Sequence, residues 1–454
     1  MKQSDLSPNL SKSTSFIEDE DGTATLLALS FLLVSIMLGG LAVDYNKAIS
    51  ERTQLQVAAD TAAHAALYTR EKEEPAASRQ KALETIVQML PSERFGTVAL
   101  NDADVTFGTW DATNWVFTSD VNSKTAVRVR AEMTEDRGNA SRNLMMHILG
   151  QPKLNIGAES VYSTYYPPCF SEGFVADGVV DIQSNNSFSE GFCIHSNQYV
   201  SMNQNNYFEP GTVVSMPDLD NLDMPNSGFE KNEGLQSALR AGAYRLRLLN
   251  QLPSIIDSFW TAEPEHLPPY IYAGSPYDVA LANPVDDTGK KITGSGLTPY
   301  HFEKNAVNYL RCAGGGKQTL KAGTYSSFVF VSNCEITFAN GVILEDVVIA
   351  TTNTGIKSLS TSHMQIGRND NCAPGGGATL MTLGGFSAAS SLEAFNGQIL
   401  ALKDITFAAG ANGIQGVSFV SKGRIDGTSN MEMGYCRNHG MENAYRASYF
   451  RMVN

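Results

Sequence analysis

The sequence predicts an α+β architecture followed by an all-β one. A single transmembrane helix continues into an α/β domain, and a parallel β-helix with a helical insert follows, a β-sandwich being the alternative. Three observations predict this. Residues 23–43 carry no charged side chain over 21 positions. Helical periodicity continues from there to Tyr68, then gives way to a period of two in residues 105–110 and 126–133. Beyond Pro167 and Pro168, short apolar pieces alternate with Gly, Asn and Ser, with a spacing of about 20 residues that suits a solenoid coil. The chain therefore divides into a polar tail (1–21), the span (22–43), an α/β domain (44–166) and a strand-rich domain (167–454) with its helical insert at about 230–260.

The uncharged run is roughly 31 Å long at the helical rise, close to the thickness of a bilayer's hydrocarbon core. A buried core helix would carry a polar stripe, and this one has only Thr23, Thr25, Ser30 and Ser35. A cleaved secretory signal has a shorter apolar region after a basic segment, whereas Glu18, Asp19, Glu20 and Asp21 precede this run, so a retained span is expected. Asp44, Lys47, Glu51 and Arg52 then return the helix to water. Leu55, Ala59, Ala62 and Ala66 keep one face apolar, and Ala58, Ala63 and Ala65 widen it. Small side chains permit close approach, so a sheet or a second helix is expected against that face. No Gly or Pro interrupts residues 41–74. Span and alanine helix thus read as one rod, roughly 69 Å from Thr23 to Tyr68.

This stretch resembles the N-terminal region of TadE/TadG-like proteins of the Flp/Tad pilus-assembly system. The family pattern is Ala-Val-Asp at the membrane exit, a following Arg, then Leu-Gln-x-Ala-Ala-Asp and an Ala-rich tail. Here Ala42, Val43, Asp44, Arg52, Leu55, Gln56, Ala58, Ala59, Asp60, Ala62, Ala63, Ala65 and Ala66 carry it. The acidic run at 18–21 departs from the family, which more often has basic residues there. The resemblance extends over about residues 16–166 through Gly108, Trp110 and Asp111, the alternating Val127 and Val129, and a helix ending in Leu149-Gly150. It implies a pilin-like fold for 44–166 and a place among other Tad/Flp components. Many relatives carry a von Willebrand A domain with an Asp-x-Ser-x-Ser metal motif. The chain has no such triplet, and Asp181-Ile182-Gln183-Ser184 fails at its third residue.

The remaining elements follow in order. Residues 78–90 read as a second helix that Pro91 ends. Strands are expected at 105–110, 115–118, 126–133 and 154–165, with a short helix at 141–149. In the strand-rich part, residues 235–260 have helical spacing, divided by Pro253, and 261–316 read as an irregular insert or cap. Asn340-Gly341 is a single hairpin signal, too few for a sandwich.

Composition bounds the function. A formal net charge of −14 with no basic stripe excludes nucleic acid and an anionic membrane surface as partners. The cysteines, Cys169, Cys193, Cys312, Cys334, Cys372 and Cys436, all follow the membrane helix and form no CxxC. An even number on one side of a membrane suggests disulfides in an oxidising compartment, and six allow 15 connectivities. Pairing of sequence neighbours would staple local loops, while buried free thiols are the alternative. Cysteines and family resemblance together place the bulk outside the cytoplasm, in the periplasm or beyond, and the N-terminal tail inside.

No constellation carries chemistry. Asp218, Asp220 and Asp223 lack the glycine and glutamate of a calcium loop. Lys422, Arg424 and Asp426 are the residue types of acidic-polysaccharide enzymes, yet read as a solvated turn. There is no GxSxG, and Gly314-Gly315-Gly316-Lys317 is no phosphate loop. No cofactor or metal is expected. The expected role is structural: a membrane-anchored part of a pilus assembly or secretion apparatus, acting by protein contact or surface attachment. The alternatives are a minor pilin cut after Gly22, which lacks the usual Glu where Leu27 stands, and an extracytoplasmic polysaccharide-active enzyme. Oligomeric state and ligand stay open at this level.

Overall fold

The computed structural model describes residues 21–98, 102–272, 274–427, 429–437 and 439–453; nearly all of the polar tail, residues 1–20, lies outside them. The chain forms two compact units, Met1–Tyr165 together with Tyr449–Asn454, and Tyr166–Ser448.

In the first unit, helix α1 (Asp21–Arg70) is one continuous element of 50 residues. Among the described residues it is the one helix long and apolar enough to cross a membrane. Its first half is bare, with Leu26, Phe31 and Leu38 each more than half exposed. The hydroxyls of Thr25 and Ser30 donate to the Gly22 and Leu26 carbonyls, so these polar groups are satisfied within the helix itself. Its second half buries Leu55, Ala58, Ala59, Ala62, Ala63, Ala66 and Leu67 completely. These small side chains let the helix lie close on β3 (Ala126–Met133) and on strand Ile156–Tyr165. Helix α2 (Pro75–Met89) begins with proline at its first turn and adds Ala82 and Ile86 to the same core.

The sheet is antiparallel, in the order β2 (Val116–Ser119), β1 (Val105–Asp111), β3, Ile156–Tyr165 and Tyr449–Met452. Two expectations are corrected here. The last strand belongs to this unit, not to the strand-rich domain that was expected to run to residue 454: its backbone pairs with Ile156–Tyr165, and Phe450 packs its ring on His64 and Tyr68. Residues 141–149 are not a helix. Ser141–Arg142 pairs with Lys153–Leu154, and three successive turns follow between Met145 and Gly150. Leu144, Ile148 and Leu149 face outward, so the apolar spacing has no core to bury against, and so short a helix does not stand without packing.

The second unit is strand-rich with a parallel sheet. Strands pair with the strand one coil away: Gly173 with Cys193, and Cys193 with Val213. Three such ladders surround one core filled by Phe174, Ile194, Val214, Phe330, Ile349 and Phe419. One ladder runs Tyr277–Asp278, Val307–Leu310, Gly323–Ser332, Val342–Thr351, Ala378–Thr382, Gly397–Ala401, Ser418–Ser421, Gly173–Ala176, Cys193–Ser196, Val213–Met216, Leu239–Ala241. The first strand in sequence therefore lies inside the stack, paired on one side with one of the last.

The chain reaches one end of this ladder at Leu239–Ala241 and resumes at the other end at Tyr277–Asp278, a distance of roughly 48 Å at the usual strand spacing. Helix Arg247–Phe259 covers about 20 Å of that return. It buries Leu249, Leu252, Ile256 and Phe259 on the outward side chains of the ladder, among them Val175, Val329, Val348, Met381 and Val420. This corrects the expected insert: Pro253 sits inside the helix, and the interruption comes earlier, where Leu239–Ala241 pairs with Val214–Met216. A mid-helix proline costs about 3 kcal/mol. Burying one Leu, Ile or Phe returns about 1.5–3 kcal/mol, and this helix buries six of them. Residues 307–310 likewise belong to the ladder rather than to an irregular cap.

Corners use asparagine twice over. Asn185, Asn205 and Asn430 adopt positive φ, which asparagine tolerates better than most residues. The next residues, Asn186 and Asn206, turn inward. The side-chain oxygen of Asn206 accepts from the Asn186 N–H, and that of Asn232 from the Asn206 N–H, at 3.0 and 3.2 Å.

Candidate functional site

Two places bring sequence-marked residues together. The first is the point on α1 where the uncharged run ends. Asp44, the acidic residue of the Ala-Val-Asp motif, is buried although it follows the span directly. Its carboxylate accepts from the backbone N–H groups of Leu144, Met145 and Met146 at 2.7, 2.8 and 2.8 Å. These hydrogen bonds hold its pKa below the ordinary aspartate value, with Lys47 adding a smaller push in the same direction. Lys47 also donates to the Arg142 carbonyl at 2.6 Å. Asp44 thus caps a loop a hundred residues away and fixes it on the helix. The loop residues were missed by sequence reading because their spacing looks helical.

Further along α1, the other motif residues are structural. Gln56 donates to the Asp60 carboxylate at 2.9 Å and to the Glu159 carbonyl at 3.1 Å, clipping the helix to the strand beneath. Leu55, Ala59, Ala62 and Ala66 form the buried contact, and Arg52 is exposed.

The second place lies on the solvent face of the strand-rich unit. Asp426 and Asp181 are register partners, Ser201 follows Asp181 on the next coil, and Ser201 bridges Asp223. Asp181, Asp223 and Asp426, far apart in sequence, thus form one row, with the Ser201 hydroxyl donating to Asp223 at 3.1 Å. Arg424 hydrogen-bonds Asp181 and lies 3.6 Å from Asp426. Burial pushes the Asp181 carboxyl up; Arg424 pulls it down, and Asp426 and Asp223 raise it. Asp218 accepts from the Asp220 N–H and caps a turn instead of joining the row. Lys422 hydrogen-bonds the Ala401 carbonyl through its backbone N–H as part of the ladder. The signal for this row was the repeated apolar-Asp pattern of Val180-Asp181-Ile182 and Ile425-Asp426, which places both carboxylates on the outward side of equivalent strands. Among the described residues, no three His, Cys, Asp or Glu side chains are placed to hold a metal ion.

Disulfides join Cys169 to Cys193, Cys312 to Cys334 and Cys372 to Cys436, so sequence neighbours pair, and all three lie within the second unit. The first ties the entry of the unit to its second coil.

Comparison with known families gives two matches. Residues 22–78, which are the span and the alanine face of α1 together with the start of α2, match the family described as putative Flp pilus-assembly TadE/G-like. No curated protein and no solved structure matches the chain. Residues 173–437, which contain nearly all of the parallel ladders, match a second family. That match spans more than half of the sequence, and the chain belongs to the family described as Domain of unknown function (DUF7867).

Proposed function

We propose that this chain is a single-pass membrane component of a Tad/Flp-type pilus assembly or secretion apparatus, with a cytoplasmic N-terminus. Its pilin-like unit carries a three-sided parallel β-helix outside the cytoplasm, which works by protein–protein contact or surface attachment. The observation that carries this reading is the match of residues 22–78 to the Tad family, on a helix whose first half is bare and apolar and whose second half is the buried spine of a domain. The stacking of three ladders supports the β-helix, and three disulfides in the second unit support an oxidising compartment. The span is retained rather than cut after Gly22, since Leu27 occupies the position where processed pilins carry a glutamate.

The test is cross-linking of the full chain in its own cells, followed by capture and identification of neighbours. Pilus-assembly components among the neighbours, and loss of pilus output on deletion, are expected. Neighbours that include none of them, with unchanged output, overturn the proposal. The row Asp181, Asp223, Asp426 is the observation behind the enzyme alternative. Arg424 pairs with two of its three carboxylates, which supports a stabilising role over acid–base chemistry. Turnover of an acidic polysaccharide by the purified chain, abolished in Asp181→Asn, would reverse that preference.

A further inference from the structure

The geometry points to a second membrane contact in the first unit: the loop at residues 144–149 enters the outer edge of the same bilayer that α1 crosses, and lipid covers its apolar side chains. The inference rests on reading residues 22–43 as a span. Gly40 lies inside that span, four residues before Asp44 and so roughly 6 Å deeper along the helix axis. A Cβ placed on Gly40 would fall 1.8 Å from Cγ of Met145, so the Met145 side chain is seated directly on the helix at that depth. Asp44 then ties the three amides of Leu144, Met145 and Met146 to the helix. The start of the loop, Leu144 to Met146, cannot float in water above the membrane while α1 spans it, because its level on the helix is fixed at both points.

What the loop exposes matches that level. Leu144, Ile148 and Leu149 are 65%, 67% and 58% exposed. Tyr45, the neighbour of Asp44, is 68% exposed, and tyrosine is favoured at the headgroup boundary. A depth of about 6 Å lies within the range at which interfacial apolar segments rest. The carboxylate at this boundary is tolerable because three N–H groups satisfy it, and the loop amides are satisfied by the same bonds. An apolar partner protein is the competing occupant.

The test uses the full chain in phosphatidylcholine vesicles, with an environment-sensitive fluorophore on a single introduced cysteine. Among the described residues every native cysteine is disulfide-bonded, so labelling is selective. The positions are Leu144→Cys, Ile148→Cys and Leu149→Cys, with Phe31→Cys as the reference inside the span and Thr113→Cys in an exposed turn as the aqueous reference. Lipids carrying a nitroxide on the acyl chain are expected to quench the three loop positions and Phe31→Cys, and to leave Thr113→Cys unaffected. Quenching at Phe31→Cys with loop signals equal to Thr113→Cys overturns the loop inference and leaves the span standing. Absence of quenching at Phe31→Cys overturns both. A blue-shifted but unquenched loop means that protein covers it, and also overturns the inference.

Discussion

Tyr165 and Tyr449 are register partners on adjacent antiparallel strands, with their rings 6.0 Å apart, although the whole second unit lies between them in sequence. An insertion at this point requires that the inserted unit begin and end close together, since antiparallel partners lie about 4.5–5.5 Å apart. A ladder wound in simple order would place its two ends roughly 48 Å apart. The winding found here resolves the conflict. Gly173–Ala176 pairs with Ser418–Ser421 inside the stack, the Cys436 N–H donates to the Glu172 carboxylate at 2.6 Å, and the Ser418 hydroxyl donates to the Phe170 carbonyl. Entry and exit are neighbours, and Arg247–Phe259 is the strap that makes the permuted order possible.

The returning strand makes the first unit's stability depend on the far end of the chain. Phe450→Ala removes ring contacts to His64, Tyr68 and the α1 core, and is expected to cost about 1–3 kcal/mol, below the value for a fully buried phenylalanine. Trp110 and Trp115, both in the first unit, give its unfolding a fluorescence signal in detergent. An unchanged midpoint would show that the strand adds nothing to the unit it joins.

Close packing of α1 is tested by size. Ala59→Leu and Ala62→Leu each force extra volume into a completely buried contact and are expected to destabilise by about 1–3 kcal/mol. Val57→Leu, on the half-exposed side, should stay within about 0.5 kcal/mol of the parent. If the two alanine variants fold as well as Val57→Leu and leave pilus output intact, the alanine face is not a packing face.

The acidic row predicts a pH signature. The folded Asp181 has a raised pKa, so folding favours its protonated form, and stability is lost as pH rises through the window above 3.8. Arg424 is the influence that lowers this pKa. Arg424→Gln should therefore raise it further and produce a stability deficit larger at pH 7 than at pH 4, with Asp181→Asn restoring most of the loss in the double variant. Denaturant titrations at the two pH values decide this; equal deficits would mean that Arg424 acts through packing and not through charge.

The parts of the structure legible in the sequence are those that depend on neighbours in sequence. The alanine face is written at helical spacing, and Asn185 and Asn205 announce corners because few residues accept positive φ. Cys312 and Cys334 pair because each follows one of two neighbouring strands of the ladder, Val307–Leu310 and Gly323–Ser332. What was not legible depends on distant registers. Val180-Asp181 and Ile425-Asp426 mark outward carboxylates on equivalent strands, but the two meet only because Gly173–Ala176 pairs with Ser418–Ser421, and local spacing does not report that pairing. Leu144, Ile148 and Leu149 have helical spacing but face outward, since Asp44 takes the amides of the loop. Pro253 reads as a break because the apolar face opposing its cost comes from strands far away in sequence, among them those of Val175, Val329, Val348, Met381 and Val420.

Asp44 offers the sharpest test of how the loop at residues 144–149 is held on α1. Its folded pKa lies below the ordinary value of 3.8, so the unfolded chain binds a proton more readily. The tie it makes is therefore complete above that value and is lost as pH falls through the lower folded pKa. Asp44→Asn keeps the shape but turns an NH2 group toward one of the three N–H donors, leaving it without an acceptor. Hydrogen-exchange protection of the Leu144, Met145 and Met146 amides in bicelles should be high in the parent at neutral pH and strongly reduced in the variant. As pH falls below the aspartate range the two proteins should converge, because the protonated parent also presents a donor to the loop. Equal protection of the two proteins at neutral pH would mean that the loop is held by the seat of Met145 on Gly40 alone, and that the charge of Asp44 is not what sets its place on the helix.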